Sequence, residues 1–126
     1  MYNSDNVFAK IIRGEIPCNK IYENDYAMSF HDIEPMCATH ALIIPKGEYE
    51  NVLDFVQRAP AAVQAGFWEC FAKTAEILGV TADFNILANA GVDAPLFKQS
   101  VFHFHLHLMA GDRHDELREM VKCLCE

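Results

Sequence analysis

An α+β fold with a mainly antiparallel sheet is predicted by two features of this chain. Apolar runs of strand length follow one another at residues 20–23, 26–32 and 40–44, and return after residue 83. One long amphipathic stretch, entered at Pro60 and closed at Gly79, is inserted among them. At 126 residues the chain is long enough for a single domain with a real core, and it carries no repeat, linker or low-complexity segment.

Each element has a local reason. Val7-Phe8 and Ile11-Ile12 recur at helical spacing, with Ser4 or Asn6 available as a cap and Gly14 as a stop. Pro17 then breaks the chain. Strands at 20–23 and 26–32 are joined by a turn at Asn24-Asp25. His40-Ala41-Leu42-Ile43-Ile44 is a short buried strand ended by Pro45, and 51–56 is a brief helical segment. In the long helix Pro60 suits the first position, while Val63, Phe67, Cys70, Phe71, Ala75 and Leu78 form the apolar stripe. A strand at 83–88 and a loop at 90–99 lead into a further strand at 100–109. Leu117, Met120, Val121 and Leu124 lie at i, i+3, i+4 and i+7, predicting a helix over 115–124 capped by Asp112.

Composition excludes several classes. Apolar residues make up 52% and charged residues 22%, the balance of a globular chain rather than a disordered one. A net charge of −8 argues against broad affinity for nucleic-acid backbone, though a small anionic ligand needs only a locally positive site. The polar start, Met1 to Asn6, lacks the basic-then-apolar pattern of a signal peptide. No apolar run approaches the roughly 18 residues needed to span a bilayer. Cys18, Cys37, Cys70, Cys123 and Cys125 are odd in number and scattered, which fits reduced thiols in a cytoplasmic protein. Cys123-Leu124-Cys125 has the spacing to bind a metal or oxidise, but tail cysteines without a second pair are more often bystanders.

The chemistry concentrates in His103-Phe104-His105-Leu106-His107. Side chains alternate along a strand, so the three imidazoles share one face, roughly 6–7 Å apart, and Phe102, Phe104, Leu106 and Leu108 anchor the other face. A core strand has no use for imidazole at every second position, so a solvated, chemically used face is predicted. Near neutral pH imidazole serves as nucleophile, base or acid, and three rings allow a division of labour. Phosphorus is the fitting electrophile, because a phosphorylated imidazole is reactive enough to be hydrolysed again. Two other readings stand beside this one: two histidines at i and i+2 sharing a zinc ion with a distant ligand, and a merely solvated sheet face. There is no phosphate-binding glycine loop, His-Glu-x-x-His or dinucleotide fingerprint.

These residues resemble the histidine triad family, and specifically its Hint branch of nucleotide phosphoramidases. His103 to Met109 fits the signature His-φ-His-φ-His-φ-φ, and Phe8 to Pro17, Phe30-His31-Asp32-Ile33, Thr39 to Lys46, Asn89 and Gln99-Ser100 resemble further family blocks. The likeness runs from about residue 6 to 111, with 112–126 as a helical extension of the single domain. It implies a five-stranded antiparallel sheet with one long and one or two short helices, dimerising into a larger sheet. By the resemblance His105 is the nucleophile on the α-phosphorus of a nucleotide, His103 and His107 flank it, and His40 supports the cluster. Gln99 and Ser100 fall near phosphate and leaving group, and Asn89 is a further implied substrate-binding residue. Phe8, Ile11, Phe30 and Ile33 sandwich a purine, with His31 beside them, and the Asp32 carboxylate accepts from the ribose hydroxyls. The implied partner is an AMP-like purine nucleotide.

A histidine at 107, where family transferases carry glutamine, favours water as acceptor. The likeness therefore implies a P–N-cleaving hydrolase, with dinucleoside polyphosphate hydrolysis or nucleotide binding with little catalysis as alternatives. No cofactor is expected. Where relatives hold structural zinc through two cysteines and a histidine, Asn6, Ala9 and Glu48 stand, so no zinc is expected there. Lys98 replaces the usual glycine before Gln99-Ser100, in a loop longer by a few residues, and either adds charge near phosphate or points to solvent. His114 lies outside every block and reads as a surface residue.

Overall fold

The computed structural model describes residues 1–119 and shows one five-stranded sheet in the order β1-β2-β3-β5-β4. The strands are β1 (Lys20–Glu23), β2 (Ala27–His31), β3 (Cys37–Pro45), β4 (Phe84–Leu87) and β5 (Leu106–Arg113), and every adjacent pair is antiparallel. Helices α1 (Val7–Ile12), α2 (Val52–Arg58) and α3 (Ala61–Leu78) complete the described fold.

Alternation along β3 explains the layering. Ala41 and Ile43 point to one side, where α3 and the loop before β5 supply Phe67, Cys70 and Phe104, with Phe55 of α2 beside them. The rings of Phe55, Phe67 and Phe104 lie 5.1–5.2 Å apart, centroid to centroid, at the middle of this main core. On the opposite side Leu42 and Ile44 join Met28, Phe30 and Phe8 in a second cluster covered by α1. This two-sided burial is why β3 reads as a continuous apolar run.

Caps follow local chemistry. Asn6 accepts from the Ala9 N–H at 2.9 Å and starts α1, and Asn51 does the same for α2 through Asp54. Gly79 ends α3 in the left-handed region at φ 71°. Gly111 in β5 has φ 85° and faces Ala38, at an irregularity in the β3–β5 register; a Cβ there would lie 2.8 Å from that of Ala38. Gly111→Ala is expected to cost about 1–3 kcal/mol in urea unfolding, more than Gly79→Ala, which meets no neighbour.

The C-terminal half of the chain corrects three expectations. The last strand begins at Leu106, not at 100, and runs on to Arg113, past the predicted end at 109. Residues 101–105 are irregular, held by backbone donation from Phe104 to the Tyr49 carbonyl at 2.7 Å rather than by a ladder. Phe102 is exposed and does not join the core. Asp112 lies inside β5 and caps nothing; helix begins at 115, with the His114 carbonyl accepting from Arg118 N–H. The remainder of the predicted C-terminal helix, and Cys123 and Cys125, lie outside the described residues. Cys18, Cys37 and Cys70 are free thiols.

Candidate active site

The histidines gather where β2, β3 and β5 meet the irregular segment 101–105. Leu42 pairs with His107 and His40 with Met109, so His40 and His107 are diagonal neighbours on one sheet face. Their ring nitrogens, Nε2 of His40 and Nδ1 of His107, are 2.9 Å apart. Asp32 N–H donates to the His40 carbonyl just beyond β2, which sets the Asp32 carboxylate 3.3 Å from His40 Nε2. His103 and His105 reach the same cluster from the irregular segment.

Backbone partners fix the proton on three rings, and His40 then fixes it on His107. A carbonyl only accepts, so His105 Nδ1 carries the hydrogen it donates to the His103 carbonyl at 2.8 Å. That leaves the lone pair on Nε2. His103 donates through Nε2 to the Pro45 carbonyl at 2.7 Å and accepts at Nδ1 from the Tyr2 hydroxyl at 2.6 Å. Met36 N–H donates to His40 Nδ1, so the His40 proton sits on Nε2 and is offered to His107 Nδ1. The remaining His107 nitrogen, Nε2, therefore bears a hydrogen, and it is buried with no partner among the described residues.

The expected solvated face is instead a nearly dry one. His103 is fully buried and His105 is 6% exposed, because Phe8 and Tyr2 pack edge-on against the rings. Burial pushes the His103 pKa down to about 4 and that of His107 down to about 3, against an ordinary 6.5. The same loss of solvent lowers His105, opposed by its bond to the His103 carbonyl and by Asp32, and it also lowers His40. All four rings are neutral at pH 7.

Two cavities meet at this cluster. The larger, about 610 Å³, is lined by Phe8, Ile11, Phe30, His31, Asp32 and Ile33 among others; the smaller, about 150 Å³, includes Asn89, Phe97 and Lys98. Ser100, His105 and His107 line both. His40 and His103 stand behind the wall as supports. Gln99 lines neither cavity: its amide donates to the Glu50 and Val101 carbonyls and its oxygen accepts from Gly91 N–H, so it ties the loop at 91–99 to the body of the protein. Sequence reasoning did not single out Tyr2, Met36 or the Pro45 carbonyl, since their roles arise from tertiary contact alone. Val7 and Ile16, also on the larger cavity, sit in an apolar pattern that did signal them.

Asp32, His40 and His107 bring one oxygen and two nitrogens within 4.8 Å of one another, spacing a metal ion would accept. A metal needs the His40 Nε2 lone pair, which requires the proton on Nδ1, pointing at the Met36 N–H. Two donors would then face each other, so the set fits a hydrogen-bonded relay and not a metal centre. Both nitrogens of His103 are likewise engaged, which removes the His103–His105 pair as zinc ligands. Asn6 caps α1.

Fold and site together define an antiparallel α+β protein with a buried cluster of neutral imidazoles between two cavities. Residues 13–114 match the HIT domain model. A 13.2 kDa HIT-like protein of Azospirillum brasilense is 45% identical over 113 residues, 89% of this chain and 90% of its own. A HIT family hydrolase from Legionella pneumophila superposes with a TM-score of 0.75 at 31% identity, covering 86% of this chain and 95% of that one. The histidine triad nucleotide-binding protein of Candida albicans gives 0.71 at 27% identity, covering 96% and 95%. The chain belongs to the histidine triad family.

Proposed function

We propose that the protein is a hydrolase cleaving the P–N bond of purine nucleoside phosphoramidates through a covalent nucleotidyl-His105 intermediate. One observation carries this reading: the free lone pair on His105 Nε2 belongs to a ring lining both cavities, beside the unpartnered N–H of His107. The naming of the Legionella and Candida neighbours as hydrolase and nucleotide-binding protein supports it.

In this mechanism the purine enters the larger cavity against Phe8, Ile11, Phe30 and Ile33, and Asp32 accepts hydrogen bonds from the ribose diol. His105 Nε2 attacks the α-phosphorus and the P–N bond breaks. The phosphoryl anion raises the proton affinity of the adjacent His107, which takes up a proton from solvent as substrate binds. His107 passes its Nε2 hydrogen to the leaving nitrogen. Water then attacks phosphorus and gives a proton to His107, and the P–Nε2 bond breaks. The nucleoside monophosphate and neutral His105 are released, and His107 returns its proton to solvent as the anion leaves. Ser100 supplies a hydroxyl to the phosphoryl oxygens, and His40 holds His107 in its working tautomer. The reading includes a cytoplasmic location and a homodimer; among the described residues no helix is long and apolar enough to cross a membrane.

Acid-quenched intact-mass analysis during turnover of adenosine 5′-phosphoramidate tests it. An adenylyl adduct mapped to His105 is the expected result. Turnover with no adduct, or with one on another residue, would remove the covalent role.

A further inference from the structure

The two cavities that meet at His105 differ in charge. Asp32 and Glu34 line the larger one, whereas Lys98 is the only charged residue on the smaller among the described residues. Among the described residues no carboxylate stands on that smaller wall, although the full sequence carries a net charge of −8. Lys98 forms no ion pair among the described residues. Nor is its position a matter of a loose loop. The neighbouring Gln99 is 3% exposed, and its three amide bonds clamp the chain on both sides of the lysine.

Resting on the proposed P–N cleavage, we infer that the smaller cavity is a leaving-group subsite and that Lys98 selects amines carrying a negative charge, a carboxylate above all. With the nucleoside in the larger cavity and phosphorus at His105, the departing group extends past Ser100 and His107 towards Asn89, Phe97 and Lys98. An ammonium there gains attraction from a carboxylate and repels a second cation, while Phe97 and Met109 offer only apolar surface. The charge of the departing amine is thus read by a side chain that takes no part in the covalent step.

The test compares adenosine 5′-phosphoramidates of glycine and of glycinamide, which differ in one charge at the far end of the leaving amine. Their intrinsic leaving abilities differ, so the informative quantity is the glycine-to-glycinamide ratio of kcat/KM, measured in the unaltered protein and in two variants. Lys98→Gln is expected to lower that ratio about threefold to tenfold and Lys98→Glu to lower it further. The ratio in the unaltered protein should also shrink as salt is raised, because Lys98 is exposed. Both substrates cleaved, with a ratio indifferent to Lys98 and to salt, overturns this inference alone. Neither cleaved while diadenosine tetraphosphate is turned over overturns it together with the P–N reading.

Discussion

His105→Ala is expected to reduce kcat/KM on adenosine phosphoramidate by at least about 10⁴-fold, the scale seen when a covalent nucleophile is removed. His107 and Ser100 remain, but neither replaces a lone pair aimed at phosphorus. The substitution also reaches the folded state, because the ring is 6% exposed and packs edge-on against Phe8 at 4.9 Å and His107 at 5.0 Å. Losing it opens space and leaves the His103 carbonyl without its donor, a cost of about 1–3 kcal/mol. Thermal melts are therefore run beside the kinetics. His105→Asn keeps a polar group near that carbonyl and separates the two effects: it should recover part of the melting temperature and none of the rate. A rate within tenfold of the unaltered protein in either variant means that another atom attacks phosphorus.

Acidification should destabilise the domain well before its carboxylates titrate. A histidine whose folded pKa is lowered stays neutral in the native protein, while the unfolded chain takes up a proton as pH falls through about 6.5. The unfolded state then binds more protons, so stability drops with pH. This contribution is complete above about pH 6.5 and declines until the native rings protonate, near 4 for His103 and 3 for His107. Each such ring costs on the order of 1 kcal/mol per pH unit in that window. With His40 and His105 shifted the same way, the melting temperature should fall by about 10 °C or more between pH 7 and pH 5. Activity should respond differently. Because His105 stays neutral, the acid limb of kcat/KM should lie below pH 6.5 wherever the protein is still folded. A melting temperature flat from pH 7 to 5 would contradict the burial of these rings as charge-excluding.

Elements governed by nearest-neighbour chemistry were legible in the sequence. Asn6 and Gly79 mark helix ends because capping is local, and the stripe from Val63 to Leu78 fixes the buried side of α3. The stretch before β5 was not legible in the same way. Alternation at 102–107 describes any extended segment, whether its backbone joins a ladder or, as here, is tied to Tyr49 and, through His103, to Pro45. The wall of the larger cavity follows from blocks contiguous in sequence, Phe8 to Ile11 and Phe30 to Ile33. The tautomers do not, because Tyr2, Met36 and Pro45 reach the rings only after folding. Burial of the histidines was missed for a similar reason: no feature of the strand itself announces that Phe8 and Tyr2 will lie over it.

The six-residue helix α1 is too short to persist by itself and owes its place to Phe8 within the cluster of Met28, Phe30, Leu42 and Ile44. Phe8, Phe30 and Leu42 also line the larger cavity. Scaffold and binding surface are here the same atoms, so reshaping the cavity for a bulkier base would erode the fold in equal measure. On the proposed reading, evolution or an engineer would find base preference far harder to alter than preference at the lysine-bearing side, where no residue of either apolar cluster stands to be lost.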